Sequence, residues 1–281
     1  MTQQRIAFDI GATNSRIALF EGETITWRTE APTPSQDGPD AVAAGMAELH
    51  RPLAGLAVPI GVAITGQIAD GCVTAHNHAM LPGWQRYPLQ QVLSAKLQRP
   101  VCVVNDARAA AWGEYVYGNG RGCDEFLFMT VSSGVGAGLV LNRRLHLAKN
   151  GFDAELGEMP AGDGNTLEYH ASGTALGRLA GEHGYPSGKA LCDAADAGEV
   201  HASELYQHGI RAIAAKLADL TVMLGIERVA VGGSVGLRPG YLERLRHEMA
   251  QYPAIYHYEL LPAALGHDAG LIGAAVLALG E

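Results

Sequence analysis

The sequence predicts an α/β protein that is built from two related lobes. Short apolar strands alternate with helical segments along the 281 residues, which favours sheets covered by helices. A unit of strand, glycine-rich turn and strand opens the chain, and a similar unit begins near residue 126. Because internal repetition indicates a repeated architecture, we expect two lobes around a central cleft.

Apolar runs and helical spacing assign the elements in chain order. In the first part of the chain they predict strands at 5–10, 16–20, 24–29, 58–64 and 101–104, and helices at 38–49, 87–98 and 107–116. Pro39 favours a helix start near residue 38, because proline is tolerated in the first turn of a helix.

The second part of the chain repeats this pattern and then becomes more helical. Strands are predicted at 126–131, 138–142 and 227–231, and helices at 206–224 and 269–279. The long helix carries apolar residues at helical spacing, namely Ile210, Ile213, Leu217, Leu220 and Leu224. We assign residues 1–107, with the C-terminal helix at 269–281, to an N-terminal lobe and residues 108–268 to a C-terminal lobe.

Composition and charge narrow the classes of function. The net charge is −9 at pH 7, whereas nucleic-acid binding favours a basic face. The sequence contains neither a secretory signal pattern nor an apolar run of about 20 residues, the length of a membrane helix. The four cysteines form no C-x-x-C pair, so we interpret them as reduced thiols of a cytoplasmic protein. We expect neither a nucleic acid nor a membrane as partner.

Three glycine-rich turns are candidate phosphate and nucleotide contacts. Glycine allows tight turns whose backbone N–H groups face an anion, and threonine and serine hydroxyls add donors. The first two turns join strand to strand without the lysine of a Walker loop, and an ordinary hairpin turn is the alternative for each. The third suits an adenine ring, and a helix cap at Ser234 is its alternative. The residues concerned are Asp9, Gly11, Ala12, Thr13 and Asn14; Ser132, Ser133, Gly134, Val135, Gly136, Ala137 and Gly138; and Gly232, Gly233 and Ser234.

A polar pair stands between a buried strand and an alanine-rich helix. Asn105 and Asp106 directly follow the apolar residues at 101–104. Ligands of α/β sheets bind at the carboxyl ends of strands, and a carboxylate placed there can accept a proton from a hydroxyl group. The alternative is that Asp106 caps the following helix, since aspartate is a preferred N-cap residue.

The order of these features resembles the two-lobed actin-like ATPase and sugar kinase architecture, a ribonuclease H-like fold. The sequence is similar to the ROK sugar kinases over essentially the whole chain. DIGATN resembles the family's DIGGTK, SSGVGAG its TGVGGG and NDARAAAWGE its NDANAAALGE, while ITGQIADG and NHAMLPGW resemble its sugar-side segments. VGGSVGLRPGYL and GHDAGLIGAA most resemble the bacterial members that phosphorylate N-acetylmannosamine.

This resemblance implies an activity and a set of site residues. It implies ATP-dependent phosphorylation of N-acetylmannosamine at the 6-hydroxyl, in the catabolism of sialic acid and amino sugars, by a homodimer. Asp106 becomes the catalytic base, and Mg²⁺ accompanies ATP with Asp9 nearby. The implied sugar ligands are Gly66, Asn105, Asp106, Glu155, Glu158 and Glu168.

One segment departs from the family pattern. Typical members have E-[IV]-G-H followed by three cysteines in C-x-C-G-x-x-G-C-x-E, whereas this chain has ELGE at 155–158 followed by MPAGDGNTLEYHASG. Structural zinc sites of this kind need three cysteines and a histidine, which His170 alone cannot replace, so we expect no structural zinc. Glu158 replaces the family's histidine, and its role stays open between a sugar ligand and a solvated residue. Met80 replaces a sugar-side asparagine, and Asn77 lies nearby.

The phosphate loops also depart from the pattern and leave other functions open. Ala12 and Ala137 replace glycines and Asn14 replaces a lysine, which predicts weaker ATP binding. A kinase for glucose or N-acetylglucosamine and a catalytically weak sugar sensor therefore remain alternatives. A ROK repressor is disfavoured because Asp9 leaves no room for a preceding DNA-binding domain. We interpret His76 and His78 as part of a polar loop, and Asp268 as a helix cap.

Overall fold

The computed structural model describes residues 3–75 and 81–280. Within these residues the chain divides into two compact units. The first unit consists of the segments Met1–Gly113, Leu147–Asp153 and His267–Glu281. The second unit consists of the segments Glu114–His146 and Ala154–Gly266.

The strands and helices alternate along both units. The strands, in chain order, are β1 (Gln4–Ile10), β2 (Asn14–Glu21), β3 (Thr24–Pro32), β4 (Ile60–Ile64), β5 (Gln67–Ala69), β6 (Cys72–Thr74), β7 (Val101–Asn105), β8 (Phe126–Val131), β9 (Val135–Leu141), β10 (Arg144–Leu145), β11 (Arg228–Gly232) and β12 (Glu259–Pro262). The α-helices are α1 (Pro39–His50), α2 (Leu89–Leu97), α3 (Asp106–Tyr117), α4 (Leu167–Ala171), α5 (Gly173–Glu182), α6 (Gly188–Asp196), α7 (Val200–Leu224), α8 (Tyr241–Met249) and α9 (Ala269–Leu277).

Each unit contains a five-stranded mixed sheet, and the two sheets have the same strand order. The order is β3-β2-β1-β4-β7 in the first unit and β10-β9-β8-β11-β12 in the second. In both sheets a hairpin of antiparallel strands continues into parallel strands on its other side. The predicted repetition of a strand, turn and strand unit is therefore confirmed.

The first sheet brings the ends of three parallel strands to one edge. Ile10 of β1 is paired with Ile64 of β4, which is paired with Asn105 of β7. The first glycine turn follows Ile10, the segment at Gly66 follows Ile64, and Asp106 follows Asn105. Ligands of open α/β sheets bind at such an edge.

Both faces of the first sheet are covered by helices. Successive residues of a strand point to opposite faces, so neighbouring residues of β1 pack in different clusters. Ile6, Phe8 and Ile10 of β1 are buried in the cluster that includes residues of α1 and α2. Ala7 is buried in a second cluster with residues of α9. A Cβ atom on Gly61 of β4 would lie 1.9 Å from the carbonyl oxygen of Ala274, so the close approach of α9 requires glycine at this position.

The chain crosses between the units at positions that differ from the sequence-based division at 107/108. That division falls inside α3, which belongs to the first unit as far as Gly113. The segment Leu147–Asp153 also belongs to the first unit. Its last residue, Asp153, makes a buried ion pair with Arg108 of α3, which attaches this segment to the first unit.

Short helices and strands are the elements that periodicity did not predict. The helices α4, α5, α6 and α8 and the strands β5, β6, β10 and β12 lie outside the predicted set. The strands and α4 have two to five residues, which is too short for a clear apolar period. Helices α5, α6 and α8 have nine or ten residues and a buried apolar face, which sequence reasoning overlooked. A capping signal was nevertheless present, because Thr166, Ser172 and Ser187 each accept a backbone hydrogen bond at the start of a helix.

Candidate active site

Asn105 caps helix α3, the role that sequence reasoning left open for Asp106. Oδ1 of Asn105 accepts hydrogen bonds from the N–H groups of Ala107 (2.9 Å) and Arg108 (3.2 Å), which is the geometry of an N-cap. Its Nδ2 donates to the carbonyl oxygen of Gly66 at 3.0 Å. Asn105 and Gly66, both predicted as sugar ligands, are thus joined directly. In the described part of the chain the other amide hydrogen of Asn105 has no acceptor.

The Asp106 carboxylate lies at the edge of the sheet with its pKa raised. Burial raises this pKa from 3.8 to about 6, and the negative charge of Asp9 adds to the rise. The backbone N–H of Ala107, which donates to Oδ1 at 2.9 Å, and the charge of Arg108 act in the opposite direction. A carboxylate with a pKa near 6 is ionised at neutral pH and basic enough to accept a proton from a hydroxyl in a transition state.

A buried ion pair between Arg108 and Asp153 holds the start of α3 in place. Their side chains are 4% and 3% exposed, and Nε of Arg108 lies 2.8 Å from Oδ2 of Asp153. Nη2 of Arg108 also donates to the backbone carbonyl of Asp153. A buried pair of this kind is held by its hydrogen bonds, and loss of one partner leaves a charge in a poorly solvated place.

The first glycine turn is a tight connection of residues 11–13 between β1 and β2. Gly11 donates to the carbonyl of Asn14 at 3.0 Å, and the carbonyl of Thr13 accepts from Thr33 at 2.8 Å. Among the described residues, the N–H groups of Ala12 and Thr13 have no acceptor. Such paired donors in a turn form a concave anion site.

Asp9 lies next to this turn and is paired with a cation. Arg16 of β2 donates from Nη2 to Oδ2 of Asp9. The carboxylate is 18% exposed and the guanidinium is 29% exposed. Sequence reasoning selected Asp9 but missed Arg16, although the alternation of β2 places Arg16 on the same face as Asn14.

The second glycine turn is shorter than predicted. It contains only Ser132–Gly134, because strand β9 already begins at Val135. This strand has buried apolar side chains at alternate positions, namely Val135, Ala137 and Leu139. Their burial on one face favours a strand for this segment. Gly136 lies in the same strand. Ala137 and Gly138 are paired with Met129 and Phe128 of β8, away from the turn itself.

The backbone of this turn is fixed by the start of α5 and by Glu168. The carbonyl of Ser132 accepts from Gly173, and the carbonyl of Ser133 accepts from both the N–H and the hydroxyl of Thr174. Oε2 of Glu168 accepts the N–H of Val135 at 2.9 Å. In the described part of the chain, the N–H groups of Ser133 and Gly134 have no acceptor, as in the first turn.

The three candidate sugar carboxylates of the second unit have different surroundings. Glu168 is half-buried against the second turn. Glu155 is half-buried and precedes the short 3-10 turn Leu156–Glu158, whereas Glu158 is exposed. One oxygen of Glu168 is therefore committed to the backbone, which sequence reasoning did not anticipate.

The third glycine turn follows β11 and is held against β8. Val235 and Gly236 both donate to the carbonyl of Val131, at 2.9 and 3.1 Å. Gly233 has φ +84°, and a Cβ there would lie 2.3 Å from the same carbonyl oxygen, so only glycine fits. Ser234 does not cap the next helix, because α8 begins at Tyr241 after Gly240.

The segment without cysteines contains polar side chains that contact one another. Nε2 of His170 lies 3.0 Å from Oδ2 of Asp163, and Nδ1 of His170 lies 3.1 Å from Nε2 of His208 on α7. The pKa of His208 is lowered by burial and by the neighbouring His170 and Arg211. Sequence reasoning considered His170 alone, because His208 lies 38 residues further along the chain.

Among residues 3–75 and 81–280, no three or more His, Cys, Asp and Glu side chains are grouped to hold a metal ion. No helix in the described part of the chain is long and apolar enough to cross a membrane. His76, Asn77, His78 and Met80 lie outside the described residues.

Glu114 is a buried carboxylate that the sequence did not single out. It ends the NDARAAAWGE segment and is fully buried. Oε1 accepts the N–H of Leu265 at 2.7 Å, and Oε2 accepts the N–H of Asn119 at 3.1 Å. The side chain therefore fixes two loops of the second unit.

Asp268 precedes α9 as predicted, but it makes no capping hydrogen bond. Its carboxylate instead lies near Arg16 and Arg28, at 3.4 and 3.5 Å. The side chain thus contributes to the charged cluster beside the first turn.

The structure contains two mixed sheets with the same strand order, and a tight turn follows the first strand of each. These features define the actin-like ATPase and sugar kinase fold. The chain belongs to the ROK family, which matches residues 5–281 and confirms the predicted resemblance. An N-acetylmannosamine kinase of Escherichia coli O7:K1 (strain IAI39 / ExPEC) is 38% identical over 287 residues, covering 98% of both chains.

Solved structures of the same family are similar in fold. A ROK hexokinase from Thermus thermophilus has a TM-score of 0.85 and 31% identity, covering 98% of this chain and 97% of that chain. A ROK family glucokinase from Streptomyces griseus, solved in complex with glucose and AMPPNP, has a TM-score of 0.82 and 27% identity. The comparison covers 99% of this chain and 100% of that glucokinase.

Proposed function

We propose that this protein is a kinase that transfers a phosphoryl group from ATP to the 6-hydroxyl of N-acetylmannosamine. The products are N-acetylmannosamine 6-phosphate and ADP. The observation that carries the proposal is the carboxylate of Asp106, which follows a parallel strand and has its pKa raised to about 6. The choice of sugar is supported by the 38% identity to an N-acetylmannosamine kinase over nearly the full length.

Asp106 acts as the base in this proposal. A sugar hydroxyl is a weak nucleophile, and the carboxylate accepts its proton as the bond to phosphorus forms. Asn105 holds the start of α3 and the carbonyl of Gly66, so it fixes the backbone on both sides of the base. Phosphoryl transfer depends mainly on such positioning and on stabilisation of charge.

The two strand-to-strand turns are proposed to bind the phosphates of ATP. Each presents two N–H groups without an acceptor among the described residues: Ala12 and Thr13 in the first, Ser133 and Gly134 in the second. Backbone N–H groups carry partial positive charge, so a pair of them suits the negatively charged oxygens of a phosphate. ATP brings Mg²⁺, which suits the neighbouring oxygen ligands of Asp9, and the third turn at Gly232, Gly233 and Ser234 is assigned to the adenosine.

The carboxylates of the second unit are proposed as ligands of sugar hydroxyls. Glu155 and Glu168 have this role by resemblance, and the half-buried position of both suits a ligand site better than free solvation. Glu158 is exposed, and its assignment stays between a sugar ligand and a surface residue. The proposal further includes a cytoplasmic homodimer without structural zinc, acting in the catabolism of sialic acid and amino sugars.

A coupled assay of ADP release tests this function. Purified protein is given Mg-ATP with N-acetylmannosamine, N-acetylglucosamine, mannose or glucose, and zinc is measured in the same sample. Selective turnover of N-acetylmannosamine without stoichiometric zinc is the expected result. Faster turnover of glucose or N-acetylglucosamine contradicts the choice of substrate. Sugar binding without any turnover favours the alternative of a sugar sensor.

A further inference from the structure

Arg16 connects three points of the first unit. The β1–β2 register places Arg16 opposite Asp9, so both side chains project from the same face of the sheet. Nη2 of Arg16 donates to Oδ2 of Asp9 and, at 2.7 Å, to the carbonyl oxygen of His267. Nη1 lies 3.4 Å from Oδ1 of Asp268, the residue before α9. The guanidinium therefore ties the end of β1 to the start of α9.

The shape of the guanidinium explains why arginine fits this position. Its planar fork offers several N–H donors in fixed directions, whereas a lysine ammonium is a compact point charge. The Arg16 and Asp9 side chains are 29% and 18% exposed, so their attraction is screened less than that of a surface pair. Arg28 on β3 offers a comparison, because it reaches Asp268 at 3.5 Å, is 67% exposed and makes no contact with Asp9.

The charge of Arg16 also affects its surroundings through Asp9. The negative charge of Asp9 raises the pKa of Asp106. We expect a cation held against Asp9 to offset part of that effect. The other charged groups around the pair come from each neighbouring element. They are Glu30, which lies opposite Arg16 on β3, Arg28, His267, Asp268 and Arg108 of α3.

Arg16 does not replace the lysine that the first turn lacks. Asn14 and Arg16 share one face of β2, because residues two apart in a strand point the same way. The Arg16 donors are however directed to Asp9, the carbonyl of His267 and Asp268. The contribution of this cation is therefore to fix a carboxylate, whose Oδ1 has no hydrogen-bond partner among the described residues.

We propose that Arg16 is a positioning residue for phosphoryl transfer, which holds the Asp9 carboxylate beside the first turn and anchors that turn to the start of α9. The inference rests on the proposed function, because it places Asp9 and Asp106 in the same reaction. Arg16 acts through Asp9 and has no direct role in proton transfer.

Three variants test the proposal against the wild-type protein. Arg16→Gln removes the charge and most of the fork, Arg16→Lys keeps the charge without the fork, and Arg28→Gln is the matched control. For each variant we would measure kcat, sugar affinity by calorimetry and thermal unfolding. The titration of the Asp106 carboxyl carbon would be followed by NMR in protein labelled with ¹³C-aspartate and assigned with Asp106→Asn.

The expected results separate positioning from general stability. Arg16→Gln should lower kcat roughly 10- to 100-fold, since small misplacements of reacting groups have effects of this size. Sugar affinity should stay unchanged, and the Asp106 titration should move to higher pH because the charge of Asp9 is no longer offset. Arg16→Lys should keep the titration near that of the wild type but still lower kcat. Arg28→Gln should change neither.

Several outcomes would overturn the proposal. A kcat for Arg16→Gln within about twofold of the wild type does so, as does an equal loss in Arg28→Gln. In Arg16→Gln, a loss of kcat with an unmoved Asp106 titration indicates a general structural effect instead. If Arg16→Gln does not fold, full kcat in Arg16→Lys refutes the role of the fork. Absence of turnover in the wild type contradicts the proposed function, and the NMR titration then still tests the arrangement around Asp9.

Discussion

Replacing Asp106 by asparagine should separate catalysis from folding stability. The change is nearly isosteric, and the amide oxygen can still accept the Ala107 N–H that Oδ1 accepts at 2.9 Å. The substitution removes the proposed base, and proton transfer by such a base contributes about 10²- to 10⁴-fold. At about 1.36 kcal/mol per factor of ten, the transition state loses roughly 3–5 kcal/mol of stabilisation.

The same substitution should stabilise the folded protein at neutral pH. The pKa of Asp106 rises from 3.8 in the unfolded chain to about 6 in the folded protein. Between these pH values the folded protein binds more protons than the unfolded chain, so the free energy of unfolding falls as pH rises. The full cost is present above pH 6. At about 1.4 kcal/mol per pKa unit, and with some solvent access to the carboxylate, this cost is about 1–3 kcal/mol.

Activity and unfolding measurements on one pair of variants check this reasoning. Asp106→Asn should lose turnover, keep sugar affinity and unfold at higher denaturant concentration than the wild type at pH 8, with the difference vanishing near pH 4. Asp37→Asn is the control, because Asp37 is an exposed carboxylate of the 3-10 turn Ser35–Asp37. Substantial turnover by Asp106→Asn refutes the role of base. The electrostatic account is refuted if the stability of Asp106→Asn relative to the wild type is lower at pH 8 than at pH 4.

Three other substitutions test the surroundings of the site. Asp153→Ala removes the carboxylate that neutralises the buried Arg108, so denaturant unfolding should report a loss of about 3–5 kcal/mol, against less than about 1 kcal/mol for the exposed Asp124 in Asp124→Ala. Glu114→Gln has one acceptor oxygen for two buried N–H groups and should destabilise by about 1–3 kcal/mol, and an unchanged melting temperature would contradict this. Asn14→Lys returns a cation to the first turn and should lower the KM for ATP, whereas Asn14→Gln should not; equal KM values would exclude an electrostatic effect of this position.

Strands β7 and β8, one from each sheet, were predictable because their apolar runs are dense and end at polar residues. Residues 101–104 predicted β7 within one residue, and the segment at 126–131 predicted β8 with its ends. Long helix α7 was predicted from its spacing, although it begins at Val200 rather than at residue 206. A local period carries this information, since burial on one face repeats with the geometry of the element.

The partners of the site residues were not predictable, because they are distant in the chain. Arg16 meets His267 across 251 residues, and Arg108 meets Asp153 across 45 residues. Glu168 was selected as a sugar ligand, but its bond to the N–H of Val135 follows from the packing of α4 near β9. A motif indicates which residues share a site, whereas tertiary packing determines which of their atoms are already occupied.

The two units use one backbone plan with different side chains around it. In each, a tight turn after the first strand leaves two N–H groups without an acceptor in the described chain, which is a local geometry that suits an anion. Side chains then distinguish the two turns. Asp9 and Arg16 stand beside the first, whereas Glu168 fixes the backbone of the second through Val135. A substitution at Glu168 should therefore alter the second turn as well as any contact with sugar, and effects on KM for ATP and for sugar should appear together.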